Sequence, residues 1–217
     1  MFLQCLEPTN DIYQGHFGPF SITKSDRLGV VIYRAGLGLA ASCFGLGALL
    51  LLAWGPQLWV LQNLTPLFWG FSLGLGVSLA TIHIYMVVLH RALQVFWGIG
   101  CLGAAWVAWQ TTEPLAVAVY GHALNLVAIG WIFVALTGLC FKEAFCFNRF
   151  EAKFLTGLFP LLLLGHWLHV LPIFFEQILL GTVAILLLIF AGRKFWQAVP
   201  DDIGDKSVFT HLHQAHS

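Results

Sequence analysis

The ten lysines and arginines of this 217-residue chain fall only into alternate gaps between its long apolar runs. They are Lys24, Arg27 and Arg34, then Arg91, then Lys142, Arg149 and Lys153, then Arg193, Lys194 and Lys206. The gaps between those groups carry no basic residue. Gly55 to Pro66 is uncharged, Gln110 to Pro114 holds only Glu113, and the bend at Pro172 holds only Glu176. A chain threaded back and forth through a bilayer keeps its basic residues on the cytoplasmic side. The pattern therefore predicts an all-α, polytopic membrane helix bundle with six transmembrane helices and both termini cytoplasmic.

Composition leads to the same solvent. Hydrophobic residues make up 59% of the chain and charged residues 9%, against about a quarter charged in soluble domains. So few charges cannot cover a water-exposed surface, so the lipid bilayer is the expected partner, with other membrane proteins beside it. The formal net charge is zero, which excludes nucleic acid as a partner. No cleavable signal is expected at the start, because Glu7 interrupts the short apolar run there.

About 20 apolar residues cross the hydrocarbon core. The expected spans are Ala35 to Trp54, Leu67 to Leu89, Leu93 to Trp109, Leu115 to Cys140, Phe154 to Leu171, and Pro172 to Gly192. Ser25 is the expected N-cap of the first, and Pro66 the expected first-turn residue of the second. These spans make residues 28–192 the bundle, with 1–27 and 193–217 as cytoplasmic segments. Small residues at four-residue spacing, including Gly36/Ala40 and Gly70/Gly74, predict close helix approach. In residues 13–23 the glycines, proline and alternating aromatics predict a turn and short strand against the membrane face.

Ionisable groups inside a bilayer are costly and so mark candidate sites. His122 and His166 lie about 10 and 9 Å below the outer ends of their spans at 1.5 Å per residue. Asn125 and His169 each stand one turn away, giving an outer-leaflet cluster of His122, Asn125, His166 and His169. Such a cluster could hold a haem or chlorophyll, line a proton or metal path with Glu113 and Glu176, or serve as interhelical packing glue. His83 and His90, seven residues apart on the second span, form a weaker pair. In the tail, His211-x-His213-x-x-His216 could chelate a metal but reads more simply as a solvated end. Asp201-Asp-x-x-Asp205 lacks the second acidic motif of a prenyl-transferring enzyme and reads as a polar turn. No nucleophile elbow, phosphate loop or dinucleotide fingerprint occurs.

The run Tyr13-Gln-Gly-His-Phe-Gly-Pro-Phe-Ser-Ile-Thr23, followed by Ser25-Asp-Arg-Leu-Gly-Val-Val-Ile-Tyr-Arg-Ala-Gly-Leu37, resembles a family of uncharacterised integral membrane proteins found mainly in cyanobacteria. The resemblance implies a bacterial inner or thylakoid membrane and supplies no catalytic residues. The functional expectation is a non-enzymatic accessory or assembly factor for membrane complexes. The alternative is a small transporter or channel with a polar path lined by the cluster's His and Asn side chains.

Overall fold

The computed structural model describes residues 11–84 and 86–208. It opens with a β-hairpin, β1 (Ile12–Gly15) and β2 (Gly18–Ser21), joined by His16 and Phe17. Tyr13 pairs with Phe20 across it, their rings stacked at 5.6 Å. Among the described residues eight helices follow, and seven of them build or line the bundle: α1 (Lys24–Trp54), α2 (Leu58–Thr81), α3 (Val87–Gln110), α4 (Leu115–Gly121), α5 (Ala123–Phe147), α6 (Phe150–Trp167) and α7 (Ile173–Trp196). The short α8 (Val199–Ile203) closes the order. The large helices form a ring in the order α2, α1, α7, α6, α5, α3. Contact between α2 and α3 is slight, and α4 wedges among α2, α3 and α5.

Among the described residues five helices are long and apolar enough to cross a membrane: α1, α2, α3, α5 and α7. The expected fifth span, α6, has 18 residues that include Glu151, Lys153 and His166, and these dilute its apolar character. Several expected boundaries move. The cap of α1 is Thr23 rather than Ser25, because Thr23 and Asp26 make a reciprocal capping box. Pro66 lies inside α2, which begins at Leu58 and stops at Thr81. His83 therefore stands in the extended link to α3, and only His90 is helical. The expected fourth span breaks at His122 into α4 and α5.

The glycine notches do bring backbones together. A Cβ on Gly36 would stand 2.6 Å from the Gly74 carbonyl oxygen, and one on Gly74 would stand 2.6 Å from that of Gly36. Beside this crossing the Ser78 hydroxyl donates to the Tyr33 carbonyl at 3.0 Å. The hairpin packs Tyr13 and Phe20 against Ile22, Val30, Val199 and Ile203.

Candidate functional site

The basic end of the bundle is a buried ionic cluster, and it forms because each charged residue continues a buried helical stripe. On α1 the stripe is Val30, Arg34, Leu37 and Ala41; on α5 it is Leu136, Leu139 and Glu143; on α7 it is Leu187, Ala191 and Lys194. At 31 residues α1 outruns the roughly 20 that span the core. Its first turns therefore meet the ends of α5 and α7 beyond the most apolar layer. Glu143 is wholly buried. Its Oε1 accepts from Lys142 Nζ at 2.9 Å and from the Tyr33 hydroxyl at 3.2 Å, while Lys194 Nζ pairs with Oε2.

Lys194 also donates to Asp202 Oδ1 at 2.6 Å. The other oxygen of Asp202 accepts from Arg34 Nε at 2.8 Å and from its terminal nitrogen at 2.6 Å. Pro200 at the start of α8 turns the chain so that Asp202 folds back under α7. The Ala198 carbonyl takes a further bond from Arg34. Lys194 stands 4.4 Å from the Phe147 ring centroid, over its face. Two carboxylates thus hold three cations, an arrangement that lowers the high cost of buried charge through mutual attraction and hydrogen bonds.

A second layer fastens the chain's two end segments together. The His16 amide donates to Asp205 Oδ2 at 2.6 Å, and the Phe17 amide donates to the Ser207 hydroxyl at 3.0 Å. The bond from His16, joined by those that the Ser207 hydroxyl and amide donate to Asp205 Oδ1, holds the Asp205 carboxyl below its ordinary range. Lys206 Nζ donates to Asp26 Oδ2 at 2.7 Å, and His83 Nε2 lies 4.0 Å from Asp26 Oδ1. Burial holds the His83 imidazole below its usual value in spite of that carboxylate. His90 spends a ring nitrogen on the Leu79 carbonyl at 2.7 Å, filling one of the orphan acceptors at the end of α2.

Above the ionic cluster the interior is apolar. Phe44, Phe71, Phe133 and Phe159 meet at centroid distances of 5.3–6.4 Å, one from each of α1, α2, α5 and α6. Three of these rings also form part of the lining of a cavity of about 210 Å³ between α1, α2, α4, α5 and α7. Its lining is almost wholly apolar, with Cys43, Leu51, Leu67 and Leu180 among it. Tyr120 both lines this cavity and is half exposed, so the cavity opens beside it. The Tyr120 ring stands 6.3 Å from that of His166, whose Nδ1 bonds Glu176 at 3.1 Å.

The expected outer cluster is therefore only partly assembled. His166 and His169 are neighbours, with ring centroids 6.4 Å apart, and the left-handed His169 closes the end of α6. His122 is exposed at the α4–α5 break, and the ring of α4 that meets His166 is Tyr120's. Asn125 spans the break, donating its side-chain amide to the Ala118 carbonyl at 2.9 Å. Glu113 lies in the turn between α3 and α4, its amide bonded to the Thr111 hydroxyl. Neither this cavity nor the groove between α3, α5 and α6 has a histidine in its lining. At about 210 Å³ the cavity is below the roughly 300 Å³ of a drug-sized pocket. These residues do not fit a tetrapyrrole held inside the bundle. Among the described residues no group of three His, Cys, Asp or Glu could hold a metal ion. The tail histidines 211, 213 and 216 lie outside the described residues.

Apolar helices in this number, with their basic residues gathered at one end, define an integral membrane protein lying in a lipid bilayer. Residues 77–211 match the uncharacterized integral membrane protein family DUF2301, and the chain belongs to that family. It is similar to an uncharacterized protein of Haemophilus influenzae, with 28% identity over 186 residues, covering 85% of this chain and 91% of the relative. The expected cyanobacterial setting is not carried by this relative. No solved structure matches the chain.

Proposed function

We propose that the protein spans a bacterial inner membrane six times with both termini cytoplasmic, and that it works without catalysis, as an accessory factor. Its working part is the outer-half cavity, which takes the hydrocarbon chain of an apolar or amphipathic membrane-soluble molecule. The observation that carries this reading is the cavity itself: about 210 Å³, almost wholly apolar, floored by phenylalanine rings. The polar groups at its mouth, Tyr120, His166 and Glu176, would receive a headgroup. Residues expected to ligate a cofactor become a rim in this arrangement.

Two experiments test it. A cysteine placed at Gln110 should react with an impermeant thiol reagent from outside the cell, and one at Gln197 should not; the reverse pattern overturns the orientation. For the cavity, lipid-soluble molecules retained by the protein in mild detergent are extracted and identified by mass spectrometry. Ala116→Phe, which fills the cavity, should lower the retained guest about tenfold, or about 1.4 kcal/mol. Equal retention in both proteins sinks the reading, as does a Soret or chlorophyll band that disappears in His166→Ala.

A transporter for the same guest is the second reading, favoured by the ionic cluster closing the inner end below the phenylalanines. Guest that exchanges across liposomes only when the cluster is intact would select it. A polar path lined by histidine and asparagine is not part of either reading, since the interior between the two ends is apolar.

A further inference from the structure

We propose that the groove between α3, α5 and α6 binds an anionic phospholipid of the inner leaflet, with an acyl chain along the groove and the phosphate on Lys153. The groove measures about 610 Å³, nearly three times the interior cavity. It exists because α3 and α6 each pack on α5 and leave part of that helix as an open floor. Leu93 and Phe96 form one wall, and Pro160 and Leu164 the other. On the floor, a Cβ at Gly130 would meet nothing within 4 Å.

Along α6 the lining runs from Thr156 to Trp167, about 16 Å at 1.5 Å per residue. That is about half of the ~30 Å hydrocarbon core, the depth of one leaflet's chains.

Charge identifies the headgroup. Lys153 stands one helical turn below Thr156 on the same face of α6 and is exposed, and among the described residues its ammonium bonds only the neutral Asn148 side-chain oxygen, at 2.5 Å. The carboxylates nearest in sequence are engaged elsewhere, Glu143 by Lys142 and Lys194, and Glu151 by Arg193. Among the described residues Lys153 thus keeps a charge with no carboxylate against it. Exposed phenylalanines crowd the same α5–α6 corner: Phe141 stacks on Phe145 at 6.4 Å, and Phe150 meets Phe154 edge-on at 4.7 Å. A cation among exposed apolar rings suits the level where lipid phosphates lie. A zwitterionic lipid offers the same chain but cancels its own phosphate charge.

The test uses the full chain in phosphatidylcholine vesicles containing either phosphatidylglycerol or more phosphatidylcholine with brominated acyl chains. Bromine quenches indole fluorescence on contact, and Trp131 and Trp167 line the groove. Subtracting a W131F/W167F variant isolates their signal. Brominated phosphatidylglycerol should quench it about threefold more effectively at equal mole fraction. Lys153→Gln should bring the two lipids to equality, and Gly130→Leu should lower quenching by both. Equal quenching in the unmodified protein overturns the proposal, as does a preference that survives Lys153→Gln. A groove shielded from both lipids in a dimer would show a second copy as its occupant and overturn it too.

Discussion

Replacing Glu143 with alanine should lower the unfolding free energy by about 3–5 kcal/mol, the cost typical of removing one partner from a buried ion pair. The size follows from what is left behind. Lys142 would lose its carboxylate partner, Lys194 would keep only Asp202, and the Tyr33 hydroxyl would lose its acceptor. The measurement is unfolding in mixed micelles, followed by tryptophan fluorescence. Lys206→Ala is the comparison, because that lysine is 29% exposed in its pair with Asp26, and such pairs contribute about 1 kcal/mol or less. Replacing Lys142, Glu143 and Lys194 together by leucine or methionine should recover most of the loss, since apolar side chains of similar volume substitute well for buried ions. A stable triple variant that has lost its biological activity would assign the cluster to function rather than to folding. A Glu143→Ala loss below about 1 kcal/mol would mean that water reaches the cluster and screens it.

Gly74→Leu should cost about 3 kcal/mol or more, at the upper end of what overpacking does. The obstruction is backbone on both sides. A Cβ at Gly74 would stand 2.6 Å from the Gly36 carbonyl oxygen and 2.8 Å from the Ala40 amide nitrogen. Neither can rotate away, so α1 and α2 must separate. Separation is expensive here because lipid gives no hydrophobic drive to hold helices together, and close packing has to do so. It would also pull Ser78 from the Tyr33 carbonyl and disturb Tyr33 at the edge of the ionic cluster. Gly157→Ala is the control: a Cβ there meets nothing within 4 Å, so stability should stay within about 1 kcal/mol. Equal behaviour of the two variants would refute the crossing.

The sequence was most legible where a single physical rule governs a residue. Small residues at Gly36 and Gly74 marked a close crossing because only a missing side chain permits one. The glycines, proline and aromatics of residues 13–23 marked a turn and a short strand because turn chemistry is local, while the second strand and its pairing were not marked. Boundaries that depend on tertiary packing were less legible. Pro66 reads as a helix start, yet α2 runs through it from Leu58. The apolar run from Leu115 gives no sign that it breaks at His122. The ionic cluster was hidden for a different reason. Arg34, Lys142 and Lys194 were counted among cytoplasmic charges, where the positive-inside rule puts them in water. The overlooked signal was their helical phase: Arg34 continues Val30 and Leu37, and Lys194 continues Leu187 and Ala191. Asp202 could not be assigned from sequence, because only the turn at Pro200 brings it to Arg34.

The bond between Arg34 and Asp202 also sets an order of events in synthesis. Arg34 leaves the ribosome with the first long helix and Asp202 after the last one. While the intervening helices are inserted, the arginine has no carboxylate from α8 to meet and, in the proposed orientation, holds its end of the chain in the cytoplasm. Only when Asp202 emerges can the same guanidinium exchange water for a fixed partner. One side chain thus serves first as an address and later as a lock, and a chain stopped short of α8 would display an unclosed basic end to the cell's proteases.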